Sequence, residues 1–294
     1  MIRPDIIKRS AKMRDLRSRV DSYDVLSLVF LSVLAFFILL PIVWWISYAV
    51  KATAGLNPEA SLWDVWVPKH FNFVPNIEYA FSLYPMVRFF LNSFIVASAV
   101  TFCELLLASM AGFAFAKYAF AGRNLVFRLV LILLMVPQIV LIIPLFEIFV
   151  SVNLINNYLS LILPFIVTPF GIFMMRQFMY GIPDDYLEAA RVEGAGEFRI
   201  FFQIVLPMMK NALATLGIVT FLMQWDSLLW PLIATSKNQM YTLSVGISLL
   251  QTNVQVPYNA IYAATLLFSI PVVVVYLLFQ NQVIKSMALT GVKE

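Results

Sequence analysis

Long apolar runs with few or no charges constrain this chain more than any other feature of its sequence. The runs cover residues 25–50, 89–116, 126–150, 158–175, 209–233 and 260–280. A helix rises about 1.5 Å per residue, so a run of roughly 20 residues crosses the hydrocarbon core of a bilayer. Because lipid offers the backbone no hydrogen-bond partners, spanning segments of this kind fold as helices. The sequence therefore predicts an all-α integral membrane protein with six transmembrane helices.

The composition and the placement of basic residues agree with this prediction. Of the 294 residues, 62% are hydrophobic and 12% are charged, whereas a soluble domain has roughly 45–50% apolar and about 25% charged residues. Sixteen of the 20 Lys and Arg residues lie in segments on the side of the termini, at 1–24, 117–128, 176–210 and beyond 280. The other four lie within residues 51–88 and at Lys237. The positive-inside rule then places both termini in the cytoplasm, so the net charge of +4 does not indicate nucleic-acid binding.

Several chemistries find no support in the sequence. None of the ten glycines begins a GxxxxGK[ST] loop, in which backbone N–H groups and a lysine hold nucleotide phosphates. The only histidine is His70 and the only cysteine is Cys103, so neither a multi-histidine zinc signature nor a nucleophile–base–acid set can be assembled. We expect no metal, no bound cofactor and no enzyme activity in this chain. We also expect no cleavable signal peptide, because the first apolar run is longer than a signal-peptide core.

Residues 183–207 form the one long polar stretch between the apolar runs of the second half, and we call them the EAA segment. The stretch reads PDDYLEAARVEGAGEFRIFFQIVLP. Pro183 can occupy the first turn of a helix, and the two aspartates after it favour the positive helix end. Leu187, Ala190, Arg191 and Gly194 recur at helical spacing. We expect the first helix to end at Gly194 and Gly196, since glycine accepts backbone angles that other residues resist.

A second short helix is predicted after the glycines. Phe198, Phe201, Phe202 and Val205 share one face of that helix at ideal spacing. Pro207 is expected to push Leu206 out of helical geometry and to end the segment. The pattern predicts two short amphipathic helices around a glycine turn, between two membrane spans.

This segment resembles the EAA loop of binding-protein-dependent ABC import permeases. The resemblance rests on Glu188, Ala189 and Ala190, on Gly194 and Ala195, and on the closing residues 204–207, which include Leu206 and Pro207. In that family the loop is the coupling helix that docks into the ATPase subunit. The resemblance therefore implies a type I importer permease fold and a separate ATPase dimer that carries ATP and Mg.

A second pattern lies in the fifth predicted span, where QWDSLLWPL covers residues 224–232. A carboxylate inside a span is costly and normally faces a protein interior or a water-filled path. We expect Asp226 to face such a path with Gln224, Trp225 and Ser227 beside it, although a structural carboxylate paired within the bundle is the alternative. Glu104 is the carboxylate of the second span, and it is expected to bond a hydroxyl or amide of a neighbouring helix or to stay protonated.

The same nine residues are similar to a segment of maltose-type carbohydrate permeases. Trp225, Leu229, Trp230 and Pro231 match that group, whereas Asp226 and Ser227 depart from it. The terminal ALTGVKE also resembles the tails of these permeases, which reach between the ATPase subunits. Gly291, Val292 and Lys293 are the matching residues. The resemblance implies a sugar or oligosaccharide substrate, a second homologous permease subunit and an extracytoplasmic solute-binding protein.

The predicted organisation follows from these features. Residues 1–24 form a basic cytoplasmic tail, residues 25–85 hold the first span and an external loop, and residues 86–281 form the permease core. Residues 282–294 form a cytoplasmic tail, and residues 234–258 form a second external loop. Prolines within several spans either reflect their general frequency in membrane helices or allow a cavity to open and close.

The predicted function is import across a bacterial-type inner membrane by alternating access. The alternatives are an ion-coupled carrier using Glu104 and Asp226, an importer of a non-sugar solute, and an intramembrane enzyme.

Overall fold

A computed structural model describes residues 22–52, 63, 66–68 and 70–291, with the side chains of residues 22, 23 and 281–291 excluded. All regular elements in these ranges are helical. The prediction for the tail at 1–24 falls almost wholly outside them, as do residues 53–62, 64, 65 and 69 of the predicted external loop. The apolar composition therefore produces the helical architecture that the runs predict.

The first helix, α1, spans Ser22–Val50 and contains Pro41. Most of its apolar side chains are exposed, and only its C-terminal end enters the core, where Ser47, Ala49 and Val50 are buried. There the ring of Trp44 meets the ring of Tyr262 edge-on at 5.6 Å. The exposed surface of α1 is apolar over membrane-spanning length, which suits contact with lipid or with another subunit.

The long helix α3, Met86–Lys117, lies at the centre of the fold, after the short helix α2, Phe73–Leu83. Its 32 residues extend about 48 Å at the usual rise. Small residues allow close helix contacts along it. A Cβ on Gly112 would lie 2.8 Å from the Cβ of Met175. Helix α3 packs against several helices from both halves of the chain, α2 among them.

The third predicted span, at 126–150, is not one straight helix. Helix α4, Arg123–Leu134, and the stretch from Gln138 to Ser151 bend by 97°. That stretch is a short 3-10 turn followed by helix α5, Ile142–Ser151. Pro137 is extended, with φ −62° and ψ 127°. A proline disfavours helical geometry in the residue before it and lacks an N–H to continue the ladder, which accounts for the break.

The fourth predicted span is also bent, by 42°. Helix α6, Tyr158–Ile162, continues into a 3-10 turn, and helix α7, Pro169–Met179, follows after a break. A polar turn precedes α6, and Asn153 and Asn156 adopt positive φ there. Asparagine tolerates that conformation better than most residues.

The second half of the chain contains the EAA segment and four further helices. After the segment come α11, Lys210–Trp225, and α12, Leu229–Ala234. Helix α13, Leu243–Thr252, and the long helix α14, Tyr258–Gly291, complete the fold. By length and composition three helices can span a membrane singly, and bent pairs raise the number within the described ranges to as many as six. One of those pairs joins the end of the EAA segment to α11 at 80°.

The expectation that residues 234–258 form only a loop is wrong. They contain α13, whose Leu243, Val245 and Leu250 are buried against α3 and α14. A Cβ on Gly246 would lie 2.3 Å from Cδ2 of Phe89, so the two helices touch at that glycine. Low charge in this stretch therefore reflects a short helix packed into the bundle.

Candidate docking segment and translocation path

The first helix of the EAA segment, α8, spans Asp184–Val192. Pro183 lies one residue before the helix in extended geometry rather than within its first turn. Asp184 and Asp185 occupy that turn, where negative charge favours the positive helix end. Leu187 and Ala190 are buried, as their spacing predicts. Apart from the position of Pro183, the start of the helix and its buried face agree with the sequence prediction.

The turn after α8 requires a glycine. Gly194 has φ +83°, a left-handed conformation that disfavours residues with a Cβ. The amide of Gly194 donates to the carbonyl of Arg191 at 2.9 Å, and the amide of Ala195 donates to the carbonyl of Ala190 at 2.9 Å. These two bonds form a Schellman motif, which satisfies carbonyls at a helix end. Gly196 is extended, with φ −71°, so the positive φ that favours glycine is confined to Gly194.

The predicted face of the second helix is wrong in part. Helix α9, Glu197–Ile200, continues through a π-helical turn, Phe201–Val205, into α10, Leu206–Met208. Ile200, Phe201 and Val205 are buried, whereas Phe198 is 73% exposed and Phe202 is 47% exposed. Packing of Phe201 on Phe113 of α3, at 5.7 Å between ring centroids, and the wide π turn set the register instead of the ideal 3.6 period.

The expectation for Leu206 is also wrong. Leu206 is helical, with φ −59° and ψ −45°, and Pro207 lies inside α10. The π turn ends at Val205, two residues before Pro207. Its i→i+5 bonding replaces the regular i→i+4 ladder that the ring and missing N–H of a proline disrupt. The chain instead bends after Met209, which has φ −91° and ψ 11°.

The residues that carry the EAA resemblance divide into two surfaces. Ala190 is buried, and Ala195 and Leu206 are partly buried against the core beneath the segment. Glu188, Ala189, Gly194 and Pro207 are exposed. Phe198 and Val192, the latter 90% exposed, extend the outward surface. This surface is therefore open to a partner protein, and the inward surface fixes the segment to the bundle.

Ionic contacts join the segment to the end of α3. Lys117, the last residue of α3, donates to the carbonyl of Ile182 at 2.5 Å and to Asp184 at 2.7 Å. The hydroxyl of Tyr118 donates to Glu197, whose carboxylate also accepts two bonds from Arg191, at 2.9 and 3.3 Å. The Arg191 bond, aided by the Tyr118 bond, lowers the pKa of Glu197. Burial, followed by the bond to Glu197, raises the pKa of Tyr118.

Glu104 in the middle of α3 bonds to hydroxyls of two neighbouring helices. It is 2% exposed, and it accepts bonds from Thr168 and, at 2.9 Å, from Thr220 of α11. Thr168 also caps α7 by accepting the amide of Gly171 at 3.0 Å. The hydroxyl bonds agree with the first of the two expectations for Glu104, and they join α3, α7 and α11 at one point.

The segment 224–227 lies at a helix end rather than within a continuous span. Helix α11 ends at Trp225, and α12 begins at Leu229 with Pro231 in its first turn, where proline is tolerated. A proline ring clashes with the carbonyl four residues earlier in a continuous helix, so the break precedes Pro231. Asp226 is exposed, and Gln224 and Ser227 are partly exposed.

Trp225 belongs to the packed core and not to an open surface. Its side chain is 4% exposed, stacks on Phe221 at 5.7 Å and meets Phe90 edge-on at 5.4 Å. The four predicted path residues therefore do not share one surface. Asp226 is exposed, Gln224 and Ser227 are partly exposed, and Trp225 is buried. Gly291 ends α14, and Val292 and Lys293 of the predicted tail site lie outside the described residues.

Sequence reasoning missed the anchoring residues Lys117, Tyr118 and Glu197 and the hydroxyls of Thr168 and Thr220. Apart from Arg191, which lies six residues before Glu197, their partners lie 64 to 116 residues away along the chain, and no local pattern marks such distant contacts. Thr168 had one signal, since a threonine immediately before a proline marks a helix start.

A bundle of membrane-length helices with an exposed helix–turn–helix is the architecture of a membrane permease subunit. The family model described as "Binding-protein-dependent transport system inner membrane component" matches residues 104–288. The chain belongs to this family. It is a permease subunit of an ABC importer in the inner membrane, as the sequence resemblance predicted. Membership of this family does not agree with the two alternatives, an ion-coupled carrier and an intramembrane enzyme.

Two relatives and one solved structure illustrate the similarity. The arabinooligosaccharides transport system permease protein AraQ of Bacillus subtilis (strain 168) is 36% identical, over 88% of this chain and 94% of that protein. The sn-glycerol-3-phosphate transport system permease protein UgpE of Yersinia pestis bv. Antiqua (strain Antiqua) is 38% identical, over 69% and 73% respectively. A chain of a bacterial ABC transporter involved in the import of the acidic polysaccharide alginate matches with TM-score 0.79 at 20% identity, over 90% and 98%. That likeness confirms the fold class.

Proposed function

We propose that this permease imports a sugar or oligosaccharide and is driven by a separate ATPase that docks on the EAA segment. The observation that carries this proposal is the two-sided form of the segment. Its outward surface, with Glu188, Ala189 and Gly194, is exposed, whereas its inward surface is packed on the bundle, and Asp184 at its start accepts a bond from Lys117 of α3. A rigid exposed element can transmit force from a docked partner.

The partners follow from the form of the chain and from its family. Its sequence contains no P-loop, so ATP and Mg bind to a partner ATPase dimer. One EAA segment serves one ATPase subunit, so a second homologous permease completes the transporter. An extracytoplasmic binding protein delivers the solute, the bilayer surrounds the helices, and no nucleic acid takes part. Basic residues cluster near both termini and near the EAA segment. This distribution supports a cytoplasmic location for both termini and for the segment.

The substrate class rests on the relatives and on the similarity to maltose-type permeases. The AraQ relative is named for arabinooligosaccharides, and it aligns over most of both chains. A non-sugar solute is the second candidate, because the UgpE relative is named for sn-glycerol 3-phosphate. Asp226 disfavours an anionic solute in its immediate vicinity, since like charges repel.

Transport follows alternating access between inward-open and outward-open states. A ligand shifts such an equilibrium only by the difference in its affinity for the two states. Docking of the loaded binding protein and closure of the ATPase dimer bias the same equilibrium, so each affects the binding of the other.

Reconstitution tests the proposal. The chain is co-expressed with its partner permease and ATPase, and the complex is placed in liposomes with the binding protein. We expect uptake of labelled arabinooligosaccharide that requires internal ATP, with little uptake of sn-glycerol 3-phosphate. Uptake by this chain alone, without ATP, contradicts the coupling proposal. Uptake of sn-glycerol 3-phosphate in preference to oligosaccharide contradicts only the substrate proposal.

A further inference from the structure

Two consecutive residues at the end of α3 contact both helices of the EAA segment. Lys117 bonds the start of α8 through Ile182 and Asp184, and the Lys117 side chain is only 6% exposed. Tyr118 bonds the start of α9 through Glu197. We call α8 the first arm of the segment, and α9 with its continuation through α10 the second arm. Both arms are therefore attached to the same end of α3.

The contact at Glu197 also spans the glycine turn. Arg191 lies in the last turn of α8, and Glu197 lies in the first turn of α9. The guanidinium makes two bonds to the carboxylate, at 2.9 and 3.3 Å. Paired bonds of this kind fix the relative orientation of the two groups. We call Tyr118, Arg191 and Glu197 the Glu197 network.

The opposite end of α3 holds a second segment of the chain. Arg88 donates to the carbonyl of Gln239 at 2.9 Å, and Asn92 donates to the carbonyls of Gln239 and Tyr241 at 2.9 and 2.8 Å. These carbonyls lie in residues 234–258, which the proposed topology places on the outer side. An unbroken helix thus links the EAA segment to the external part of the molecule.

We propose that the Glu197 network positions the EAA segment on α3, so that movement of a docked ATPase is transmitted through this helix. The inference rests on the proposed function and adds the residues that carry the coupling. Arg191 and Glu197 are 39% and 49% exposed, and an ion pair so open to water contributes little to folding stability. Their contribution is the fixed angle between the two arms and the attachment of that angle to α3.

The first experiment measures ATP hydrolysis by the reconstituted complex with and without arabinooligosaccharide-loaded binding protein. The variants are Tyr118→Phe, which removes one hydroxyl, and Arg191→Lys, which keeps the charge but loses the paired bonds. Coupling between sites typically amounts to about 5–150-fold. We expect each variant to assemble and to lower the ratio of stimulated to basal hydrolysis about fivefold, at the low end of that range.

Arg199→Lys is the matched control. Arg199 is also an exposed arginine of the segment, but it bonds Gln203, at 2.9 Å, within one helical stretch. We expect this variant to keep the wild-type ratio. An equal loss in Arg199→Lys and Arg191→Lys would indicate a general effect of arginine replacement and would overturn the inference.

The second experiment measures the angle between the arms directly. Spin labels replace the exposed residues Tyr186 and Met208 in a complex that carries Cys103→Ala. We expect a narrow distance distribution for the parent and a broader one when Tyr118→Phe or Glu197→Gln is added. A distribution that stays narrow in both variants contradicts the positioning role, even if hydrolysis changes.

The outcomes distinguish failure of the proposed function from failure of the role inferred for the Glu197 network. If the parent complex shows no stimulation by the loaded binding protein, the proposed function fails and the inference fails with it. If the parent is stimulated and both network variants keep the parent ratio, only the inference is overturned.

Discussion

Gly194 is the residue whose conformation most directly limits what the EAA segment tolerates. Its φ of +83° costs a non-glycine residue roughly 1 kcal/mol or more, and a β-branched side chain suffers most. We expect Gly194→Val to insert normally, to bind the ATPase more weakly and to lose stimulated ATP hydrolysis. The measurement is hydrolysis by the reconstituted complex with and without loaded binding protein.

Gly196→Ala and Glu188→Ala are the controls for that variant. Gly196 has ordinary backbone angles, and a Cβ there meets nothing within 4 Å, so Gly196→Ala should keep coupling. A rim ion pair is worth only about 0–1 kcal/mol, so Glu188→Ala should be milder than Gly194→Val. Wild-type stimulation in Gly194→Val would show that this turn is not part of the coupling element.

Gly171 supplies the space that Glu104 occupies. A Cβ at Gly171 would lie 2.6 Å from a carboxylate oxygen of Glu104 and 3.1 Å from the Cβ of Ala108. Overpacking of this kind typically costs about 1–3 kcal/mol. We expect Gly171→Ala to lower the thermal stability of the purified complex, as measured by loss of monodisperse protein on heating.

Gly217→Ala is the matched helical control for Gly171→Ala. A Cβ there meets the end of the Leu105 side chain at 3.3 Å, and that end can move. Alanine also favours a helix over glycine by about 0.8–1.0 kcal/mol. The Gly217→Ala complex should therefore be as stable as the parent or more stable. Equal loss of stability in both variants would mean that the Glu104 contact is not the cause.

At the scale of helices, the second arm has one aromatic residue packed in the core and another exposed on the surface proposed for docking. Phe201 is 3% exposed and Phe198 is 73% exposed. Truncating a buried phenylalanine typically costs about 3–5 kcal/mol. We expect Phe201→Ala to destabilise the chain strongly, and we expect Phe198→Ala to leave stability unchanged while weakening ATPase binding. Thermal stability and copurification of the ATPase distinguish the two effects, and reversed results would contradict the observed register.

The same elements show what the sequence could predict and what it could not. The existence of the spans and of α8 followed from apolar length and helical spacing, because these are local properties. The break at Pro137 and the inward face of α9 did not follow, since a proline can either kink or end a helix and packing on Phe113 sets the face. For the site, Gly194 was evident from its residue type, whereas Tyr118 and Glu197 lie 79 residues apart and gave no local signal.

At the scale of the whole molecule, the chain exposes two surfaces that other molecules can cover. Helix α1 exposes apolar residues along most of its length, and the EAA segment exposes a mixed surface that includes Glu188, Val192 and Phe198. Lipid or another subunit can cover the surface of α1, and the proposed ATPase would cover the surface of the EAA segment. If the transport path of the proposed assembly lies between two permease chains, residues exposed on one chain can line it.

Asp226 tests where that path lies. It is exposed at the break after α11, whereas the adjacent Trp225 is buried. In a complex carrying Cys103→Ala, we expect Asp226→Cys to react with a small water-soluble thiol reagent and Trp225→Cys to remain unreactive. Because alternating access changes which surfaces meet water, the rate at Asp226→Cys should differ between the ATP-bound and nucleotide-free states.

The companion variant Asp226→Ala should lower transport and leave assembly intact, since an exposed carboxylate at a helix end contributes little to packing. Uptake into liposomes and copurification of the subunits measure the two effects. An Asp226→Cys complex that stays unlabelled in every nucleotide state would place this residue away from the path. In that case lipid or the second permease covers the break between α11 and α12, and the carboxylate has a structural role.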